Sequence, residues 1–152
     1  LMGQYYLVVN LDKEQYLHPH HCGQGLKLLE IACSSLSTMM ALTVLLADGN
    51  GRGGGDLDSK SEMVGLWAGD RIVVAGDYAD EGRYGIPGTL YEYASANFTD
   101  ISFHAMRACV DDTYIRAILK KEAKESYLLG KVWKQISNPP ALVLAQKKRI
   151  EV

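Results

Sequence analysis

The chain has 152 residues, which is the usual length of one folded domain. Hydrophobic residues make up 47% of it and charged residues 22%, a composition that excludes a disordered or fibrous protein. No run of about 18 apolar residues occurs, so the sequence predicts no transmembrane helix. No basic segment followed by an apolar one opens the chain, so it predicts no signal peptide either. We expect a single domain over residues 2–152, with the native start at Met2 rather than Leu1.

Three cysteines indicate a reducing compartment. Their number is odd, and no two of them have the C-x-x-C spacing of a redox or metal motif. A disulfide framework is therefore not expected, and the sequence predicts a cytoplasmic protein. Cys33 and Cys109 lie among apolar residues and are predicted to belong to the core.

The formal net charge is −2, but the charges are unevenly distributed. Residues 1–106 carry 6 basic and 13 acidic side chains, whereas residues 107–152 carry 10 basic and 5 acidic ones. These charges can compensate each other inside the fold, meet across a symmetric interface, or form a basic face for an anionic partner. The basic run at residues 147–149 is too short to indicate nucleic-acid recognition.

The first third of the chain predicts a hairpin followed by helices. Residues 4–11 are rich in aromatic and β-branched side chains and predict a strand. Residues 15–18 predict the returning strand, which Pro19 ends. Residues 26–32 fit a strand or a helix. Residues 36–46 follow several serines and predict a helix with a broad apolar face.

The middle of the chain predicts two strands of different kinds. Residues 71–75 are apolar without interruption after the arginine, which is typical of a central strand that is covered on both faces. Residues 89–94 alternate in polarity and predict an edge strand with Tyr91 and Tyr93 on one face. Residues 101–110 fit a strand or a helix.

The last third predicts a helix, a break and a final strand. An acidic pair before Thr113 is typical of a helix start, and Gly130 is the predicted C-cap of that helix. The two prolines at positions 139 and 140 break regular structure, and residues 141–145 predict a strand. Together these elements predict a single α+β domain whose mixed or antiparallel sheet has an N-terminal hairpin and packs against two or three helices.

A glycine-rich loop at residues 48–56 is the most informative local feature. Five of its nine residues are glycine, which is costly unless the loop is mobile or its backbone closely approaches a ligand. One interpretation is a mobile surface loop. The other is a phosphate or sugar cradle made of backbone N–H groups, in which Arg52, Gly53, Gly54 and Asp56 bind the ligand.

Two further ligand types fit this loop less well. Its glycines match the letters of the dinucleotide-binding fingerprint, but no strand precedes them and no helical stripe follows. The loop also resembles the start of a calcium loop. However, Arg52 stands where an oxygen ligand belongs, and Ser59 stands where a bidentate glutamate belongs.

Three of the four histidines cluster within residues 18–22, beside a proline and a cysteine. On an extended segment His18 and His20 point to the same side, as two ligands of one metal ion must. A further ligand would come from one of three residues: Asp48, Asp56 or His104. The sequence thus indicates a divalent metal held by His18, His20, His21 and Asp48. The alternative is a polar loop whose imidazoles bond to the backbone or to water.

Several short segments resemble a group of small uncharacterised microbial proteins. They are Met-Gly-Gln-Tyr-Tyr at residues 2–6, Val-Asn-Leu-Asp-Lys at 9–13, Tyr-Leu-His-Pro-His at 16–20, Gly-Leu-Lys-Leu-Leu-Glu at 25–30 and Trp-Ala-Gly-Asp-Arg-Ile-Val at 67–73. The likeness covers roughly the first half of the chain. It implies a microbial or phage-like gene, and it implies no activity and no catalytic residue.

The functional expectation is a small cytoplasmic binding or protein-interaction module, because no catalytic motif fits its context. The alternative is a metal-assisted hydrolase that combines the histidine cluster with a carboxylate of the glycine-rich loop. The uneven charge and the nine tyrosines predict a homodimer, with Tyr91 and Tyr93 as contacts. A divalent metal is the cofactor that the sequence suggests.

Overall fold

The computed structural model describes residues 4–33, 36–49 and 57–137. Within these ranges it contains four strands and six α-helices. In chain order they are β1 (Tyr6–Asn10), β2 (Gln15–Leu17), α1 (Leu28–Cys33), α2 (Thr38–Leu46), β3 (Ile72–Gly76), α3 (Leu90–Asn97), β4 (Thr99–Asp100), α4 (Ser102–Cys109), α5 (Thr113–Glu122) and α6 (Tyr127–Ile136). Two short 3-10 helices lie at Pro19–Cys22 and Arg83–Gly85. The predicted α+β class is confirmed.

The four strands form one mixed sheet in the order β3-β1-β2-β4. β1 and β2 pair antiparallel as the predicted hairpin, and its turn is closed by Asn10, whose Oδ1 accepts the N–H groups of Asp12 and Lys13 at 2.8 and 2.7 Å. β3 pairs antiparallel with the other edge of β1, whereas β4 pairs parallel with β2. β1 is therefore an inner strand with a neighbour on each side.

Both faces of β1 are covered, so its alternating side chains belong to two separate hydrophobic clusters. Val8 belongs to a large cluster that includes residues of α2, α4 and α6. Leu7 and Val9 belong to a smaller cluster that includes Ala75 of β3 and residues of α3. All three side chains are fully buried.

The prediction of a central strand at residues 71–75 is wrong in position. The strand exists as β3, but within the described chain it pairs with β1 alone and forms the edge of the sheet. Ile72 packs against the large cluster and Val73 against the small one, while Val74 is 43% exposed. The inner position belongs to β1, whose apolar run is of the same kind.

The prediction of an edge strand at residues 89–94 is also wrong, because this segment begins helix α3. Thr89 caps the helix through its hydroxyl, which accepts the N–H of Glu92 at 3.2 Å. Leu90 and Ala94, four residues apart, bury one side of the helix in the small cluster. Tyr91 and Tyr93 are half-buried and pack against that cluster, and they are not residues of a strand edge.

The segments that fitted either a strand or a helix are helical. Residues 26–32 contribute to α1, and residues 101–110 form α4 with one capping residue at each end. The predicted start of α5 is confirmed, since Asp112 accepts the N–H of Ile115 at 2.9 Å. None of the helices within the described ranges is long and apolar enough to cross a membrane.

Gly130 is not the C-cap that the sequence predicts but lies inside α6. A Cβ at this position would meet the backbone oxygen of Ala123 at 2.9 Å. Glycine is therefore required by the close approach of α6 to the end of α5, and the helix continues to Ile136 because nothing at Gly130 interrupts its hydrogen bonds.

The cysteines divide between core and surface. Cys22 and Cys109 are buried, and burial raises the pKa of both thiols, in the case of Cys109 to about 12. Cys33 is exposed, so its predicted place in the core is wrong. Its helix α1 buries Ile31, and Cys33 lies outside that contact.

Several predictions fall outside the described residues. These are the ligand residues of the glycine-rich loop, Arg52, Gly53, Gly54 and Asp56, the strand at residues 141–145, and the basic run at 147–149. Asp48, at the other end of that loop, is described and is exposed.

Candidate functional site

The histidine cluster forms a tight turn at the end of β2, the 3-10 helix Pro19–Cys22, which we call the histidine turn. His18 caps it, because its Nδ1 accepts the N–H of His20 at 3.2 Å and its backbone oxygen accepts the N–H of His21 at 2.9 Å. Pro19 supplies the φ that a first helical position needs. Gly23 ends the turn with φ +90°. The predicted extended segment is thus replaced by one helical turn, which brings the imidazoles together.

The sheet places Asp100 beside the histidine turn. β2 and β4 are parallel, with Tyr16 opposite Asp100, so the histidine turn and the start of α4 leave the sheet at the same end. Asp100 Oδ2 lies 2.6 Å from His21 Nδ1. Asp100 Oδ1 accepts both the hydroxyl of Ser102, at 2.5 Å, and its N–H, at 2.9 Å. The carboxylate is thereby held by three hydrogen bonds.

Ser102 ties this carboxylate back to the histidine turn. Its side chain is fully buried, and its Oγ accepts the backbone N–H of His18 at 2.8 Å while its hydroxyl donates to Asp100. A buried hydroxyl that both accepts and donates a hydrogen bond has its polar atoms satisfied and is held in one orientation. His21 is therefore linked by hydrogen bonds to Asp100, Asp100 to Ser102, and Ser102 to the backbone of the histidine turn, and this chain fixes its position.

Two aromatic neighbours fix the plane of the His21 ring. The His18 ring stacks on it, with centroids 4.5 Å apart and planes at 27°. Phe103 of α4 contacts it at a centroid distance of 5.1 Å. Since Asp100 holds one edge of the ring and these groups hold its faces, the orientation of His21 is determined by the fold.

The electrostatics of the turn favour an ionised aspartate and a neutral His18. Burial, the nearby His21 and His20 lower the pKa of His18 to about 4, against the opposing influence of Asp100. Burial acts to raise the pKa of Asp100, but the hydrogen bonds from His21 and Ser102 outweigh it and hold that pKa below its usual range. At neutral pH, Asp100 is therefore a carboxylate that accepts hydrogen bonds.

A cavity of about 560 Å³ opens between the histidine turn, α4 and α6. Its lining combines basic, polar and apolar side chains: His20, His21, Phe103, Leu128, Lys131, Val132, Lys134 and Gln135. Lys131 and Lys134 are three residues apart on α6 and thus lie on one side of that helix. None of the described residues that line the cavity carries a carboxylate. Such a lining suits a small anion with an apolar part.

The predicted metal centre does not assemble from the described residues. His18, His20, His21 and Asp48 are all described, yet no group of three or more His, Cys, Asp or Glu side chains in these ranges is arranged to hold a metal ion. Nδ1 of His18 is occupied by a backbone N–H and Nδ1 of His21 by Asp100. A metal at this turn would therefore need a ligand from elsewhere, such as Asp56.

The sequence located part of this site and missed the rest. His20 and His21 were candidates, and both line the cavity. Asp100 and Ser102 were missed, because the parallel pairing of β2 with β4 connects positions about 80 residues apart. Lys131 and Lys134 carried a usable signal, since two lysines at a spacing of three on a helix form a local cationic patch.

Comparisons with protein-family models, with curated proteins and with solved structures gave no match to this chain.

Proposed function

We propose that the protein is a small binding module that takes an anionic small molecule into the cavity beside the histidine turn. The supporting observation is the lining of that cavity, which includes Lys131, Lys134 and Phe103 and in which no described residue is acidic. The anion is a carboxylate or a phosphate, since both accept charge-assisted hydrogen bonds from ammonium groups such as those of Lys131 and Lys134.

The two parts of the lining have different roles in this proposal. The lysine ammonium groups provide charge-assisted hydrogen bonds to the anion. Phe103, Leu128 and Val132 cover the apolar part of the ligand and contribute free energy in proportion to the apolar area that they bury, about 25 cal/mol per Å². The volume of about 560 Å³ is that of a site for a small organic molecule.

The experiment is calorimetric titration of the full chain with 3-phenylpropionate and with phenyl phosphate. We expect both to bind, and the double variant Lys131→Gln with Lys134→Gln to bind them at least about tenfold more weakly, which corresponds to about 1.4 kcal/mol. The matched control is Lys120→Gln with Lys121→Gln. It removes the same charge from exposed positions of α5, which do not line the cavity.

Equal weakening in the α5 control would show that only the net charge matters, and the proposed site would be wrong. Absence of binding by both probes at millimolar concentration would contradict the proposed function itself. Raising the salt concentration should weaken binding in the wild-type protein more than in the cavity variant, because exposed cations are screened.

A second candidate function is hydrolysis, and the pairing of His21 with Asp100 is the observation that favours it. A histidine oriented by a carboxylate can serve as a general base. In its metal-assisted form, this function also needs a ligand outside the described residues, for which Asp56 is the candidate. Hydrolysis of p-nitrophenyl phosphate that requires added Zn²⁺, and that is lost in His21→Gln and in Asp56→Asn, would support it. No turnover above the buffer rate would exclude it for this substrate.

We also propose that the protein is a cytoplasmic homodimer. Uneven charge along the chain and exposed tyrosines such as Tyr114 and Tyr127, which are 73% and 75% exposed, support self-association. Three cysteines without a disulfide among the described residues support a reducing compartment. Tyr91 and Tyr93, the contacts expected from the sequence, are half-buried and pack against the small cluster, so the more exposed Tyr114 and Tyr127 offer more surface to a partner.

A further inference from the structure

We propose that the ligand of the cavity carries a hydroxyl group next to its anionic group, and that this hydroxyl donates a hydrogen bond to Nε2 of His21. This inference rests on the proposed function, because it assigns the ligand class of the same cavity. The ligand is thus a hydroxy acid or a hydroxylated phosphate ester with an apolar part.

The tautomer of His21 follows from its neighbour. Nδ1 of His21 lies 2.6 Å from a carboxylate oxygen of Asp100, and an ionised carboxylate only accepts hydrogen bonds. Both hydrogen atoms of Ser102 that reach Asp100 are already donated to its other oxygen. The proton of a neutral His21 therefore lies on Nδ1, and Nε2 carries a lone pair that accepts.

The acceptor at Nε2 has no partner among the described residues, whereas Nδ1 of the same ring, both oxygens of Asp100 and the hydroxyl of Ser102 each have one. His21 lines the cavity, so a bound molecule that excludes water would leave this acceptor unsatisfied unless it supplies a donor. A carboxylate or a phosphate dianion has no donor to offer, and it is held by Lys131 and Lys134. A separate hydroxyl group on the ligand supplies the missing donor.

The ring cannot turn to present a donor instead. Rotation by 180° would separate Nδ1 from Asp100 and place a carbon beside the carboxylate, so the hydrogen bond to Asp100 holds the ring in its present orientation. Selectivity for a donor is therefore built into the fold rather than into the flexibility of the side chain.

The test compares three ligands of nearly one shape in the full chain: 3-phenyllactate, 3-phenylpropionate and 2-methoxy-3-phenylpropionate. The first can donate from its hydroxyl group, the second has no such group, and the third can only accept. Binding is measured at alkaline pH, well above the ordinary range of histidine, so that the lining imidazoles are neutral. We expect 3-phenyllactate to bind about tenfold more tightly than either of the other two.

The variant His21→Phe removes Nε2 but keeps an aromatic ring against His18 and Phe103. In this variant we expect the three ligands to bind equally. The matched control is His20→Gln, which changes another histidine of the lining and should keep the preference. The double variant Lys131→Gln with Lys134→Gln should lower the affinity for all three ligands by the same factor, because all three carry the carboxylate that these lysines bind.

A measurement on the wild-type protein keeps the test independent of how well His21→Phe folds. The ¹⁵N shift of His21 Nε2 should move when 3-phenyllactate is added and should stay unchanged with the methyl ether. Equal affinity for the three ligands would overturn this inference while leaving the anion site intact. A preference for the hydroxyl that persists in His21→Phe would also overturn it. If none of the three ligands binds, the proposed function fails as well.

Discussion

His18 is half-buried beneath the other imidazoles, where it accepts a backbone hydrogen bond and stacks on His21. Its pKa of about 4 lies below the ordinary histidine value of 6.5. Between these two values the unfolded chain binds a proton that the folded chain does not, so stability falls as the pH is lowered from about 6.5 to about 4. Above about 6.5 this contribution to stability is fully present.

We expect His18→Asn to reduce this dependence on pH. Asparagine can place its side-chain oxygen where Nδ1 accepts the N–H of His20, but it does not titrate. The free energy of unfolding in urea, measured at pH 7.5 and pH 4.5, should therefore differ less in the variant than in the wild-type protein. An unchanged difference would mean that another group is responsible.

Gly23 sets the distance between the histidine turn and α6. It has φ +90°, and a Cβ at this position would meet Leu129 Cδ1 at 2.6 Å and Leu129 Cα at 3.1 Å. We expect Gly23→Ala to cost more than the roughly 1–2 kcal/mol of a left-handed alanine, because Leu129 must also move. Gly69→Ala is the matched control, since Gly69 has φ +82° but nothing within 4 Å.

Urea unfolding of the two glycine variants measures this difference, and titration with 3-phenylpropionate shows whether the shift of α6 reaches the cavity. We expect Gly23→Ala to weaken the binding of 3-phenylpropionate and Gly69→Ala to leave its affinity unchanged. Equal destabilisation by the two substitutions would show that the contact with Leu129 has no energetic weight.

At the scale of single elements, the sheet order gives two strands of similar sequence different contributions to the free energy of unfolding. Leu7 of β1 is fully buried, whereas Val74 of β3 is 43% exposed at the sheet edge. We expect Leu7→Ala to lower the free energy of unfolding by about 2–5 kcal/mol and Val74→Ala by less than about 1 kcal/mol. Urea unfolding at neutral pH measures both. Similar costs would contradict the edge position of β3.

The sequence predicted the elements whose ends carry recognisable capping or strand-breaking residues. The hairpin of β1 and β2 follows from aromatic and β-branched residues, and the start of α5 at Asp112 follows from its acidic cap. Both are as predicted. The rank of β3 in the sheet could not be predicted from its own residues, because an apolar run shows that a strand is covered but not which strands lie beside it. At α3, the alternating polarity of residues 89–94 predicted a strand, and the Thr89 cap that begins the helix was missed.

At the scale of the whole molecule, the candidate site depends on contacts that join distant parts of the chain. The sequence indicated that His18, His20 and His21 belong together, because they are neighbours. It did not indicate their partner Asp100, which reaches them through parallel pairing of β4 with β2. It also did not indicate α6 as the opposite wall of the cavity, because that packing depends on the tertiary fold.

The proposed homodimer is tested by light scattering at micromolar concentration. A single chain has a mass of 16.7 kDa, so we expect about twice that value at low salt. Because opposite charges on the two parts of the chain would attract across the interface, added salt should shift the mass downward. A mass of 16.7 kDa at both salt concentrations would contradict self-association and would leave the charges to compensate within one chain.

The central claim is that an anionic small molecule binds between the histidine turn and α6. The most direct measurement is the change of backbone amide NMR shifts on titration of the wild-type protein with 3-phenylpropionate. We predict saturable changes centred on His20, His21, Phe103, Lys131 and Lys134, with little change in β3. Changes centred elsewhere, or shifts that fail to saturate, would contradict the claim.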